Sequence, residues 1–387
     1  MKEWNVFIVD ELGMGGISTN VRALQSKISE SWICQLRKFN RENNFDNVLS
    51  KFGTINKLRF INTRVFLHVN SARGLLFALL LCLFFRYKKG NWELRIVFMT
   101  YHPNEFSNAD FFSVIYRGTI HKLGKKNIWF MNEACFSKHF IYSKNNILQI
   151  YLNLVIDEKF SKGNSKNALS IDGATILTVA RLVDFKIGYI KNLIRYSLYN
   201  KKIQLIIVGS GPLKDELAGI IEIKSAKNIK LIPAVSYHEL NEYYLNSSIY
   251  VGMGTTLLEA SSMGLPSIVA IVSENDKYCY GWFSNQKNFN VGEVQPDIKK
   301  YDMFKFLDDY FELSLDKKQA IANIHHAHFQ KFSIHTTLER FNLNLSESEN
   351  NKLNTINLIR LLLVFVLASL FEYIRFNISN ASRYNAN

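Results

Sequence analysis

Residues 249–270, IYVGMGTTLLEASSMGLPSIVA, restrict the fold more than any other stretch of this chain. Ile249, Tyr250 and Val251 have the β-branched and aromatic character of the end of a buried strand. A Gly252-Met253-Gly254 turn follows. Thr256 and Glu259 then stand at the S/T-x-x-E spacing of a capping box, which predicts a helix start. Gly264 and Pro266 predict its end, and 267–272 reads as the next buried strand. A glycine turn at a helix N-terminus aims backbone N–H groups and the positive end of the helix dipole at an anion, typically a phosphate. At this level a plainer role is equally open: Glu259 caps its own helix and the glycines make a tight turn.

The same strand-and-turn unit recurs along the chain. Strands are predicted over 174–179, 204–208 and 229–232, with a short helix over 238–245. The second of these runs into Gly209-Ser210-Gly211-Pro212, where Pro212 suits a helix start because its missing N–H costs nothing there. In the first half, a strand over 4–9 leads into the turn Gly13-Met14-Gly15-Gly16 and a helix from about 19 to 29. This turn lacks the third glycine of the dinucleotide fingerprint, since Ser18 holds that position. Further strands are predicted over 32–39, 57–61, 94–100 and 127–132, and 147–155 closes the first half. The strand over 94–100 ends in Tyr101-His102-Pro103-Asn104-Glu105. A polar cluster at the C-terminal end of a parallel strand is where open α/β sheets place their chemistry, so His102 is a candidate site residue. Residues 161–170, SKGNSKNALS, read as a hinge. The alternation predicts an α/β protein with two Rossmann-like, doubly wound domains facing a cleft, over 1–160 and 171–345.

Length and composition agree with this division. A chain of 387 residues, 48% hydrophobic and 13% aromatic, accommodates two cores. The four cysteines lack any ligand spacing and read as reduced core residues, with neither a disulfide framework nor a metal site. The net charge of +14 favours an anionic partner. No basic patch interleaved with aromatics points to nucleic acid. The N-terminus has no signal-peptide pattern, so a cytoplasmic location is expected.

Two apolar segments stand out. Residues 74–85, GLLFALLLCLFF, are too short to span a bilayer. They suit a helix buried against a parallel sheet or, with Arg73, Arg86, Lys88 and Lys89 at the ends, one lying in a membrane interface. The tail, 352–377, contains an apolar core over 361–371 flanked by Arg360, Glu372 and Arg375. It is expected to lie at the inner face of the plasma membrane; packing back on the first domain is the alternative.

Four motifs occur in order: ILTVARLVDFKIGYI, IIVGSGPLKDEL, IKLIPAVSYHELNEYY and VGMGTTLLEASSMGLPSIVA. This set resembles the C-terminal half of the retaining glycosyltransferases of family 4, which have the GT-B architecture. Upstream, GMGGIST is similar to that family's first glycine-rich loop, and NLVID followed by Phe160 to the segment before its hinge. The resemblance implies that Arg181 and Lys186 hold the donor diphosphate and steady the leaving group. It implies that Glu259 accepts hydrogen bonds from the donor ribose and that Gly254, Thr255 and Thr256 turn over the phosphates. Gly15, Gly16 and Gly209 join them as donor-binding positions, and His102 matches a first-domain histidine near the transferred sugar. No cofactor or metal is implied beyond a nucleotide-diphosphate sugar.

One departure stands out: the family's first glutamate, eight positions before Glu259, is Val251 here. The implied activity is transfer of a sugar, with retention, from the nucleotide sugar to a hydroxyl of a lipid-linked glycan, in bacterial O-antigen or capsule assembly. A non-catalytic GT-B subunit that binds a nucleotide sugar or a partner transferase is the alternative, ahead of a nucleotide-sugar epimerase.

Overall fold

The computed structural model describes residues 2–10, 12, 16–36, 63–86, 92–106, 111–143, 147–156, 174–295, 298–350, 358–364 and 366. The chain divides into two compact units, Met1–Asn153 with Glu339–Asn387, and Leu154–Leu338.

The first unit contains strands β1 (Lys2–Val9), β2 (Ser31–Gln35), β3 (Thr63–Val69), β4 (Trp92–Thr100) and β5 (Ile128–Phe130). They pair in the order β2-β1-β3-β4-β5, every pair parallel. Helices α1 (Gly16–Lys27), α2 (Ala72–Arg86) and α3 (Phe111–His121) lie between strands, and α4 (Glu133–Ser143) follows β5. Val6, Phe7, Ile8 and Val9 are all buried, as expected of a parallel strand covered on both faces.

Helix α1 starts at Gly16, three residues before the predicted start. Strand β2 stops at Gln35, and residues 37–39 and the strand expected over 57–61 lie outside the described residues. Strand β3 was not anticipated, because Arg64 and His68 interrupt its apolar pattern. His68 is nevertheless buried, with its Nε2 2.8 Å from the Asn5 side-chain oxygen. Burial pushes its pKa down to about 3, so the ring is neutral.

Of the two roles open for 74–85, the sheet-packed one is observed. Helix α2 packs on β1, β3 and β4, with Leu75, Ala78, Leu79, Leu81 and Phe85 buried.

The second unit contains β6 (Thr175–Val179), β7 (Gln204–Val208), β8 (Ile229–Ile232), β9 (Ile249–Gly252), β10 (Ser267–Ala270), β11 (Tyr278–Trp282) and β12 (Tyr301–Asp302). Its sheet order is β12-β11-β10-β9-β6-β7-β8, parallel from β10 to β8 and antiparallel at β11 and β12. The helices are α5 (Asp184–Tyr199), α6 (Lys214–Ile223), α7 (Tyr237–Leu245), α8 (Thr255–Ser262), α9 (Met303–Phe311) and α10 (Leu315–Phe329). The two antiparallel strands were not read from the sequence. They are short, and their pairing carries a register shift between Ile268 and Ala270.

Helix α11 (Ile334–Glu347) belongs to the first unit from Glu339 onward. Residues 339–345, expected with the second domain, are therefore part of the first unit. The reason lies in aromatic packing. Phe341 is fully buried, with ring centroids 5.2 Å from His68, 5.7 Å from Trp129 and 6.2 Å from Phe7. Arg340 donates to the Asn153 side chain, and Asn344 Nδ2 donates to the Tyr151 carbonyl at 3.0 Å.

Of the tail, residues 358–364 are helical and described, while 352–357, 365 and 367–377 lie outside the described residues. Leu358, Leu361 and Leu362 are buried; Ile359, Leu363 and Val364 are exposed.

Phe341→Ala should destabilise the first unit by about 3–5 kcal/mol, the usual cost of truncating a buried phenylalanine. Urea unfolding followed by tryptophan fluorescence reads this directly, because Trp129 touches the deleted ring.

Candidate functional site

The second unit brings three turns together at the C-terminal ends of β6, β7 and β9. Backbone hydrogen bonds lace the first two: Ala180 N donates to Val208 O (3.0 Å), Leu182 N to Ser210 O (3.1 Å) and Leu213 N to Leu182 O (3.3 Å). Gly209 makes this approach possible. A Cβ there would lie 1.9 Å from the Ala180 carbonyl oxygen, a distance no side chain tolerates. The third turn is tied in by Thr256, whose Oγ1 donates to the Val179 carbonyl at 3.0 Å. On its other side, Gly254 N donates to Val291 O at 2.8 Å.

These turns carry most of the residues singled out from the sequence. Arg181 is exposed on the turn after β6, and Lys186 lies half-buried in the first turn of α5. Burial pushes the Lys186 pKa down and the nearby Glu293 carboxylate opposes that shift. Gly254 caps α8 with φ of 74°, a left-handed conformation that favours glycine. Thr255 and Thr256 open the helix. Its first N–H groups have no partner within the helix and no side chain caps them, so they form an anion-facing terminus.

The expected capping box between Thr256 and Glu259 does not form. The Thr256 hydroxyl donates to Val179 O and accepts from the Tyr250 hydroxyl, and Glu259 is buried. The second unit does contain a capping box, one helix earlier: Ser236 Oγ accepts from Glu239 N, and Glu239 Oε2 accepts from Ser236 N.

Glu259 is only 2% exposed, and its Oε2 accepts a 2.9 Å hydrogen bond from the Tyr244 hydroxyl. Burial pushes its pKa up to about 7, and the Tyr244 bond holds it from rising further. A carboxylate this buried, beside a helix N-terminus, is suited to accept hydrogen bonds from ligand hydroxyls. Val251, by contrast, is fully buried in the core cluster of the second unit, so position 251 presents nothing to the turns.

The other candidates belong to the first unit. Gly16 starts α1, after β1, and Gly15 lies outside the described residues. His102 is exposed after β4, and its Nδ1 accepts from Asn104 N at 3.1 Å. Beside it lie groups the sequence reading did not single out. The Tyr101 hydroxyl accepts from Asn20 Nδ2 at 2.8 Å. The Glu105 pKa is pushed up to about 8 by burial, with the Asp10 charge adding to the shift. Tyr244, Tyr250 and Glu293 were missed as well; they lie 9–34 positions from Glu259, and no local spacing marks them. Among the described residues, no three His, Cys, Asp or Glu side chains gather as a ligand set.

Residues 162–278 match the family model of glycosyl transferases group 1. No curated protein sequence matches the chain. Solved structures share its fold at low identity. HepE from Anabaena, in complex with UDP and glucose, has a TM-score of 0.63 at 13% identity, covering 89% of this chain and 99% of its own. The lipopolysaccharide outer core galactosyltransferase WaaB, in its apo form, gives 0.55 at 13% identity over 90% of this chain and 100% of its own. The catalytic domain of starch synthase IV from Arabidopsis thaliana, bound to ADP and acarbose, gives 0.58 at 12% identity over 90% and 99%.

The buried Glu259 carboxyl keeps its proton more readily in the folded chain than in the unfolded one, where its ordinary pKa is 4.5. Its ionisation therefore lowers stability progressively as pH rises from 4.5 through about 7. Glu259→Gln should melt several degrees above the wild type at pH 8, and the gap should close on acidification towards pH 4.5. Differential scanning calorimetry across that range checks it.

The matched domain supplies the class and the shared two-sheet architecture supplies the fold: the chain is a glycosyltransferase with the GT-B fold.

Proposed function

We propose that this glycosyltransferase is a retaining enzyme of family 4 that moves a sugar from a nucleotide-diphosphate sugar to a hydroxyl of a lipid-linked glycan. The observation that carries the proposal is the convergence of Arg181, Lys186, the uncapped N-terminus of α8 and the buried Glu259 carboxylate on one end of the second sheet. The UDP-bound HepE and the outer core galactosyltransferase WaaB are in keeping with a nucleotide-sugar donor and with surface-polysaccharide assembly in a bacterium.

The chemistry follows from charge. As the bond between sugar C1 and the phosphate oxygen breaks, both electrons stay on the phosphate. Arg181, Lys186 and the helix N-terminus neutralise the charge that grows there. The acceptor hydroxyl oxygen bonds to C1 on the face the leaving group vacates, which retains configuration, and its proton passes to the departing nucleotide diphosphate. Cationic side chains and a helix terminus fill the role a metal plays elsewhere, so the reading calls for neither metal nor cofactor. His102 is assigned to the transferred sugar, and Gly15 and Gly16 to the donor-binding loop whose backbone approaches donor and acceptor.

We assign the protein to the cytoplasmic face of the plasma membrane, attached peripherally. Exposed apolar side chains of the first unit support this: Ile359, Leu363 and Val364 on the tail helix, and Leu80 and Phe84 on α2. No helix among the described residues is long and apolar enough to cross a membrane. The net charge of +14 favours anionic lipid. The protein should sediment with vesicles containing anionic phospholipid and much less with neutral ones. The double variant Leu363→Asp, Val364→Asp should lose that binding, and retention by the variant would refute the assignment.

The donor reading is tested by thermal shift and hydrolysis against UDP-, GDP-, dTDP- and CMP-sugars, with Glu259→Ala alongside. Stabilisation by one of them, lost in the variant and accompanied by slow release of its nucleotide, names the donor. Binding without turnover, even with acceptor lipid supplied, would favour a non-catalytic subunit, a role to which the apolar Val251 lends weight.

A further inference from the structure

We propose that Tyr244 is a positioning residue for donor binding: its hydroxyl fixes the Glu259 carboxylate in the orientation that a ligand hydroxyl meets. The inference rests on the reading of Glu259 as a donor-binding group.

Tyr244 projects from α7 and Glu259 from α8, and both side chains are buried. The tyrosine hydroxyl donates to Glu259 Oε2 at 2.9 Å and lies 3.4 Å from the Thr256 carbonyl. A second buried tyrosine, Tyr250, donates to Thr256 Oγ1 at 2.7 Å, and the two rings lie 6.1 Å apart. Two tyrosines thus tie down Thr256 and Glu259, two of the polar side chains that α8 contributes to the site.

A phenylalanine would fill either place in an apolar core without the cost of burying a hydroxyl. The Tyr244 hydroxyl is therefore accounted for by its partner. A buried carboxylate needs donors to stay charged, and only the charged form offers both oxygens as acceptors. With Oε2 engaged by Tyr244, the ligand's hydroxyls are left to Oε1. The site would then take a ligand with free hydroxyls on its nucleoside sugar, and would take it better when Glu259 is ionised.

Other titratable groups face α8 from the elements around it. They are Tyr250 on β9 and Tyr237 at the start of α7, while Arg181 on the turn after β6 and Lys186 in the first turn of α5 lie at the same end of the sheet. From α10, His325 Nε2 lies 3.0 Å from the Ser267 carbonyl and His326 Nδ1 2.7 Å from the Ser262 carbonyl. Tyr244 is the group that hydrogen-bonds the Glu259 carboxylate, and that bond favours its ionisation against burial.

The test is calorimetric titration of the full-length protein with UDP, GDP, dTDP and CMP between pH 5.5 and 9. Wild-type affinity for the nucleotide that binds should rise through about pH 7 and level off above it. Tyr244→Phe removes the donor that favours the charged carboxylate, so its midpoint should move up by about half a pH unit or more. Its plateau affinity should fall about threefold to tenfold, the usual worth of one hydrogen bond. Glu259→Gln should bind weakly and without pH dependence. Tyr250→Phe, an equal loss of a buried hydroxyl away from Glu259, should leave the midpoint in place.

Where Tyr244→Phe fails to fold, 3-fluorotyrosine at position 244 keeps the shape, donates more strongly, and should move the midpoint down. A midpoint unmoved by Tyr244→Phe or by the fluorinated residue overturns the proposal, as does an unchanged pH profile in Glu259→Gln. If Glu259→Gln binds as tightly as wild type at every pH, or no nucleotide binds the wild type, the donor-site reading itself fails.

Discussion

The second unit depends on how closely the turn after β7 can approach the turn after β6. With Gly209 its absent Cβ leaves the Ala180 carbonyl free, and the two turns share backbone hydrogen bonds from Ala180 to Leu213. Any side chain at 209 would push them apart, since the contact would fall on backbone rather than on a yielding side chain. The same economy recurs at Gly188, where a Cβ would lie 2.1 Å from the Glu274 carbonyl, and at Gly292, 2.6 Å from Ala270 O and Met253 Cβ. Backbone packed directly on backbone holds the cationic side chains and the terminus of α8 within one small region. The site's geometry is thus set by main chain, which has few alternative positions.

Much of this was legible in the sequence, because parallel strands covered on both faces write continuous apolar runs that glycine turns punctuate. The strands read over 174–179, 204–208, 229–232 and 249–251 and the turns after them follow from that rule alone. Where the rule weakens, so does the reading. Strand β3 carries His68 at a buried position, and only its pairing with Asn5, sixty-three residues away, makes that burial tolerable. Strands β11 and β12 are too short to show a period.

The Thr256–Glu259 pair shows a different limit. Its spacing satisfies the local rule for a capping box, yet the partners that prevail are Val179 and Tyr244, far from it in sequence. Ser236 and Glu239 have the same spacing and do form the box, because both are exposed and no tertiary partner competes. Local patterns thus identify candidates, and burial decides which role each takes. Glu259 kept its place among the candidates through a resemblance rather than through its spacing. Tyr244 had no such route, since a tyrosine in a short helix looks like any other core residue.

The return of α11 to the first unit bears on how the chain is made. Phe341 completes an aromatic cluster with Phe7, His68 and Trp129, so the first sheet cannot bury that face until residue 341 has been synthesised. The whole of Leu154–Leu338 is translated in between. At ribosomal rates of roughly 5–20 residues per second, the nascent first unit waits on the order of 10–40 s with an apolar surface uncovered. The second unit, continuous in sequence, meets no such delay. Folding order would then run against chain order, and the exposed interval makes the N-terminal unit the natural client of nascent-chain chaperones.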